Sequence, residues 1–287
     1  NPWVNLHQRL IHEAQFESPS PEGLSGEDAA AWKRAVEAYR EFLGERSALF
    51  DDDLVRLNAA LSETQGPELP ASIPAAAAET LRTAMPIYER TQWPQDDRVN
   101  RFFIALAEPM LASAAAELVA AHEKAYGIPF PPRIRVDVSA RGGRFGAYTV
   151  GDRLKAHAVI SSADPSYQGF AALEMLFHEP SHSIVAPSFG AIGGDLARAA
   201  EETGRKPPRN LWHAILFYTS GELTRRALAE RGIRYEPYMY EGKMFERGFR
   251  GFQEPLETHW QAWLDGKVSR EEAVRRILLE TTEPVEE

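Results

Sequence analysis

Apolar residues recur at near-helical spacing through most of residues 1–129, which therefore read as a run of helices. Trp3 to Phe16 forms the first. Glu27 to Arg46 follows Ser25, which suits an N-cap, and Asp51 to Glu63 opens with acids that favour the helix dipole. Pro67, Pro70 and Pro74 mark a linker, and the alanine-rich stretch after it is predicted helical up to Trp93-Pro94. Asp96 and Asp97 then open a long helix to Tyr126, with a kink expected at Pro109. No internal repeat is visible.

After Pro129 to Pro132 the period changes from helical to two. Ile134, Val136 and Val138 alternate with Arg135, Asp137 and Ser139, the pattern of a half-buried strand. Arg141-Gly142-Gly143-Arg144 reads as a hairpin turn, because its glycines lack the strand–helix setting of a phosphate loop. Phe145 to Val150 is a second strand, Gly151-Asp152 a turn, and Lys155 to Ser161 a third strand. A small antiparallel meander is predicted. Ala163-Asp164-Pro165-Ser166 turns the chain into an apolar helix from Tyr167. Helices follow near Asp195 to Glu202 and from Asn210 to Arg231, then a tyrosine- and glycine-rich loop, then helices at Pro255 to Leu264 and Ser269 to Glu280. The expected class is α+β, mainly helical. A helical N-terminal region (1–129) precedes a region that mixes strands and helices (130–287), and the two are allowed to form one globule.

Composition narrows the partners. With 287 residues the chain has ample material for a buried core. A net charge of −10, with scattered basic residues, argues against a nucleic-acid surface. No uninterrupted apolar run of about 18 residues is seen, so no membrane span is expected. Cysteine is absent, which excludes disulfides and thiolate chemistry and leaves nitrogen and oxygen donors for any metal. A start at Asn1 fits an exported form after signal removal (periplasmic or extracellular), or a trimmed cytoplasmic chain.

His178-Glu179-Pro180-Ser181-His182 changes the picture most. Histidines four apart share one helix face, about 40° apart in projection, where both rings can reach one ion. The intervening Glu179 is placed to act on a metal-activated water rather than to ligate. Pro180 removes an amide from the helix, typically a loss of ~3 kcal/mol in a helix interior. It bears on catalysis more than on metal binding.

The five residues, with the strand before them and the helix that carries them, resemble the HExxH signature of the zincin metallopeptidases. The resemblance covers roughly Lys155 to Glu222 and implies a zincin-like core, with the metal helix packed beneath a small sheet. It implies Zn2+ as cofactor, His178 and His182 as ligands and Glu179 as general base. The subgroup with a third histidine six residues on is excluded by Ser188. The gluzincin subgroup takes its third ligand from a glutamate on a downstream helix. Glu222, an acid within the apolar helix around Leu211 to Leu223, is the expected third ligand, since a buried carboxylate needs a partner. Glu202 is the rival by spacing but sits at what reads as a solvated helix end. His213, His259 or another acid remain open.

Tyr238, with Tyr235 and Tyr240 beside it, is a candidate donor to the oxyanion of a tetrahedral intermediate, against the plainer role of packing an ordered loop. His213 and His259 also read as core histidines. Ser181 and Ser183 lack a nucleophile-elbow pattern, so serine hydrolysis is unsupported. The expected function is a zinc-dependent hydrolase, a peptidase by resemblance, with an extended peptide held along an edge strand at His157 to Ser161. Hydrolysis of another small amide or ester fits the same residues. A zincin-like binding or regulatory protein without turnover is the competing class, and a helical module with an accidental motif is a third.

Overall fold

The computed structural model describes residues 1–16, 24, 26–46, 51–143, 146–151, 154–185 and 190–281. Ser25, Arg144, Phe145, Asp152 and Ser188, which entered the sequence reading, lie outside them. The helices are α1 (Pro2–Phe16), α2 (Gly26–Leu43), α3 (Asp52–Glu63), α4 (Ala75–Thr91) and α5 (Trp93–Tyr126). The strands β1 (Ile134–Ser139), β2 (Ala147–Gly151) and β3 (Ala156–Ser161) follow. Then come α6 (Phe170–Ser181), α7 (Gly190–Thr203), α8 (Leu211–Ala229), α9 (Tyr238–Glu241), α10 (Met244–Arg247), α11 (Gln253–Pro255), a π-helical turn (Leu256–Trp260), α12 (Gln261–Leu264) and α13 (Arg270–Glu280). The protein is mainly helical with one small sheet, as expected. The tyrosine- and glycine-rich stretch is not plain loop, since it contains α9 and α10.

Two compact units interleave in sequence. One comprises Asn1–Glu108, Ile134–Val150 and His157–Gln168, and the other Pro109–Arg133, Gly151–Ala156 and Gly169–Glu287. The first unit buries Trp32, Tyr39, Tyr88, Leu6, Leu10 and Leu54 among α1 to α4. Asp51 caps α3, its side chain accepting from the amides of Asp53 and Leu54 at 3.1 Å each. α5 starts at Trp93-Pro94, with Asp96 in its first turn. Asp96 accepts from both Arg9 (2.9 Å) and the Tyr88 hydroxyl (2.9 Å).

The sheet order is β1-β3-β2. The amide of Ala156 bonds the Arg133 carbonyl, and that of Ser162 bonds Ser139, so β3 runs parallel to β1. The Ser161 amide bonds Gly146, the sense of an antiparallel hairpin with β2. The expected antiparallel meander is thus corrected to a mixed sheet. β3 is its central strand, and all six of its residues are buried. The expected peptide-binding edge at His157 to Ser161 does not exist, because both sides of β3 are taken by neighbouring strands.

Beneath this sheet lies a polar knot. The Asp137 carboxylate accepts from Arg135 (3.0 Å), His157 Nε2 (2.7 Å) and the Ser62 hydroxyl, joining α3 to β1 and β3. Ser62 and Asp137 meet the same imidazole nitrogen, Nε2 of His157, with Ser62 at 3.2 Å. A catalytic triad would divide them between two nitrogens, so the knot is an anchor.

The second unit packs α6 on α8 and α7 on α13. Asp195 of α7 is fully buried at its side chain and pairs with Arg270 of α13 and with Arg198. In α5, which passes through both units, one 18-residue window has mean hydropathy 1.6 and is 22% buried. By length and composition alone it is long and apolar enough to cross a membrane. A single helix of this kind is weak evidence for a span. Phe103, Ala107, Ala114 and Leu118 form a buried stripe along it, as in a helix packed on one face.

Asp137→Ala leaves Arg135, His157 and Ser62 without their acceptor and is expected to lose about 3 kcal/mol in urea unfolding. Hydrogen bonds from His157, Arg135 and Ser62 outweigh burial and hold the Asp137 carboxyl well below its ordinary value of 3.8. Its contribution is therefore complete above that value and fades as pH falls below it. The acid limb of the stability profile should flatten in the variant.

Candidate metal centre

α6 is apolar all round and buried from Ala171 to Ser181, so any polar residue on it must be accommodated inside the protein. It carries Glu174, His178 and His182 at four-residue intervals. On α8, His213, Phe217 and Gly221 recur at the same interval, and the two rows meet in antiparallel register. A Cβ at Gly221 would stand 3.3 Å from Glu174 Oε1, the His178 and Phe217 ring centroids are 3.8 Å apart, and those of His182 and His213 are 4.9 Å apart.

This register brings together His178, His182 and His213, with one ligand nitrogen from each lying within 4.8 Å of the others. His178 Nε2 and His182 Nε2 are 3.2 Å apart. Two nitrogens bound tetrahedrally to zinc at ~2.0–2.1 Å would be roughly 3.3–3.4 Å apart, so the pair already has the right spacing. His178 Nδ1 and His213 Nε2 are buried with no hydrogen-bond partner among the described residues. All three imidazoles are held neutral. Burial is the main cause throughout, lowering His182 to about 3 and His213 to about 4. His178 falls well below its ordinary value through burial and then the neighbouring histidines. Neutral imidazole is the ligand form, so a cation would displace no proton.

Pro180 does not break the motif. α6 ends one residue beyond it, and the chain tightens: the His182 amide bonds the Glu179 carbonyl (3.0 Å) and the Ser183 amide bonds Pro180 (3.1 Å). His178 is 1% exposed, whereas His182 and His213 are half-buried, so the cluster opens on their side. Trp212 stacks on His213 (5.1 Å) and meets His182 edge-on (5.7 Å), while Phe249 approaches His213 (5.7 Å). Glu179 is buried beside His178.

Glu222 is not in this cluster, which corrects the expected third ligand. It lies nine residues beyond His213, about two and a half helical turns along α8. Its oxygens accept from Arg225 (2.7 and 2.8 Å) and Arg226 (2.6 Å), and those hydrogen bonds outweigh burial and lower its pKa. It lines a separate cavity of about 120 Å³ with Tyr218, Arg225 and Tyr240. Glu202 is exposed at the end of α7, and His259 Nε2 lies 2.8 Å from Glu280 Oε2. The tyrosines also differ. Tyr238 stacks on Phe217 at 5.8 Å, Tyr235 donates to Glu174 (2.7 Å), and Tyr240 donates to Glu257 (2.9 Å).

Glu174 was missed by the sequence reading. It is fully buried, with Oε2 accepting from the Tyr235 hydroxyl and from the Tyr238 amide (3.0 Å). Oε1 has no partner among the described residues. The available signal was its position one turn before His178 on the same face. Burial pushes its pKa up to about 7, against the Tyr238 and Tyr235 hydrogen bonds that lower it. Compared with family models, curated proteins and solved structures, the chain matches none.

The raised pKa fixes a sign. Between about pH 4.5 and 7 the unfolded chain has released the Glu174 proton and the folded chain has kept it. Metal-free protein should therefore lose stability as pH rises through that window, by up to about 1.4 kcal/mol per unit. Glu174→Gln should remove that component, as read by urea unfolding at a series of pH values.

Proposed function

We propose that the protein is a zinc-dependent hydrolase, a metallopeptidase in the first instance, with the metal held by His178, His182 and His213. The observation that carries this reading is the convergence of three imidazoles across the α6–α8 interface, with one ligand nitrogen from each within 4.8 Å of the others. Nitrogen ligands only, in a chain without cysteine, suit Zn2+. The resemblance of His178-Glu179-Pro180-Ser181-His182 to the zincin signature, and with it a zincin-like core, belongs to this proposal. The ligand set departs from the gluzincin pattern, because a histidine takes the place of the glutamate.

Bound there, zinc supplies Lewis acidity, polarising a carbonyl and bringing the pKa of water toward neutrality. The residues do the rest. His178, His182 and His213 would orient the ion, and a substrate would approach from the half-buried side at His182 and His213. The Glu179 carboxylate accepts the proton of the attacking water and returns it to the leaving nitrogen. Tyr238, stacked on Phe217, is the candidate donor to the oxyanion. With β3 enclosed, a substrate strand cannot pair there. The substrate class is a peptide or a small amide or ester, approaching past Trp212 and Phe249.

A second reading, metal binding without turnover, is favoured by the burial of His178 and Glu179 and by Pro180 between the ligands. Two measurements decide. Protein purified without added metal should contain near-stoichiometric zinc. His213→Ala should lose it and Glu222→Ala should keep it, and the reverse pattern would restore Glu222 as ligand. Glu179→Gln should retain zinc and fold while hydrolysis, found by screening peptides, amides and esters, drops about 10²–10⁴-fold. Full zinc with no turnover in the wild type would favour the binding protein.

A further inference from the structure

Two buried atoms on the same face of α6 have complementary unmet needs. His178 turns Nε2 toward His182, which leaves Nδ1 on the far side of the ring, buried and without a partner among the described residues. Glu174 Oε1, one helical turn earlier, is likewise buried and unpartnered. Side chains on a helix lean toward its N-terminus, so the His178 ring lies over the turn that carries Glu174. A neutral imidazole that ligates through Nε2 carries its proton on Nδ1 and needs an acceptor, and Glu174 Oε1, ionised beside a bound dication, can be that acceptor.

We propose that Glu174 is the outer carboxylate of a carboxylate–histidine–metal relay, accepting the Nδ1 proton of His178 directly or through one water when the centre is loaded. This rests on the reading of the cluster as a metal site. Glu174 is then a positioning residue: it touches neither metal nor substrate but fixes the tautomer and tilt of His178. Its anchorage supports the role. Oε2 is pinned by the Tyr235 hydroxyl and the Tyr238 amide, which leaves Oε1 as the one oxygen available to the histidine. Gly221 keeps α8 clear of that oxygen, since a Cβ there would also stand 2.7 Å from Pro237 Cβ. Charge points the same way. Three neutral imidazoles leave a dication uncompensated, and a buried carboxylate one turn away offsets part of it. The same contacts tie the 235–238 segment to Glu174.

The test uses zinc affinity and the ring itself, not turnover. Zinc affinity would be measured by chelator competition on wild type, Glu174→Gln, Glu174→Ala and His213→Ala. Long-range 1H–15N spectra of the histidines would be recorded on the zinc-loaded wild type. Glu174→Gln should weaken zinc about 10–100-fold, the effect usual for loss of such a partner, with Glu174→Ala at least as affected. His178 should show a protonated, hydrogen-bonded Nδ1 and a metal-bound Nε2. Wild-type affinity in both Glu174 variants would overturn the proposal, as would a metal-bound Nδ1 in His178. If a variant does not fold, the wild-type spectrum decides alone. Failure of the metal reading looks different: wild type and His213→Ala would then be equally unable to hold zinc, and the relay would fall with the centre.

Discussion

The α6–α8 contact governs the second unit, because α6 brings into the core a polar row that the His213, Phe217 and Gly221 row of α8 must accommodate. Glu174 faces Gly221, His178 faces Phe217 and His182 faces His213. Slipping either helix by one turn would drive Glu174 into Phe217 and separate the histidines. Burial forbids charge on the imidazoles, and unpartnered nitrogens in such a place typically cost about 1–3 kcal/mol each. Two helices of this apolar character would pack better with leucine at those positions. The arrangement makes physical sense only where something else satisfies those atoms.

Much of the framework was legible in the sequence because period and punctuation agreed. Asp51 and Ser269 cap the helices they precede, and the proline-rich stretch before Ala75 separates α3 from α4. The sheet was misread for a definable reason. β3 reads Ala-His-Ala-Val-Ile-Ser, a nearly continuous apolar run, which is the pattern of a strand covered on both faces and flanked on both sides. β1 alternates, as an outer strand does. Order in sequence suggested a meander, whereas burial pattern pointed to β3 in the middle.

The candidate site was legible only along one helix. The spacing of His178 and His182 is a local fact, but the third member depends on how α8 lies across α6, which no short-range pattern encodes. Glu222 was chosen on the sound premise that a buried acid needs a partner. Its partners were three and four residues away, in Arg225 and Arg226, at the spacing at which side chains on a helix meet. The signal for His213 was subtler: His213, Phe217 and Gly221 form a row whose last member is small, the mark of a close approach from another element.

Proline within the motif is a liability only if the helix must continue, and here it does not. α6 stops at Ser181, so the missing amide falls in the final turn, where short-range bonds already replace the regular ladder. The tightened turn leaves His182 as the capping residue in helical conformation, with Nε2 still 3.2 Å from that of His178. Ser181 and Ser183 lock this end by bonding the Phe177 and Pro180 carbonyls at 2.7 Å each. The second histidine therefore sits at a helix terminus rather than in mid-helix, on the half-buried side of the cluster. That placement leaves the first histidine packed in the core and the second on the half-buried side of the cluster.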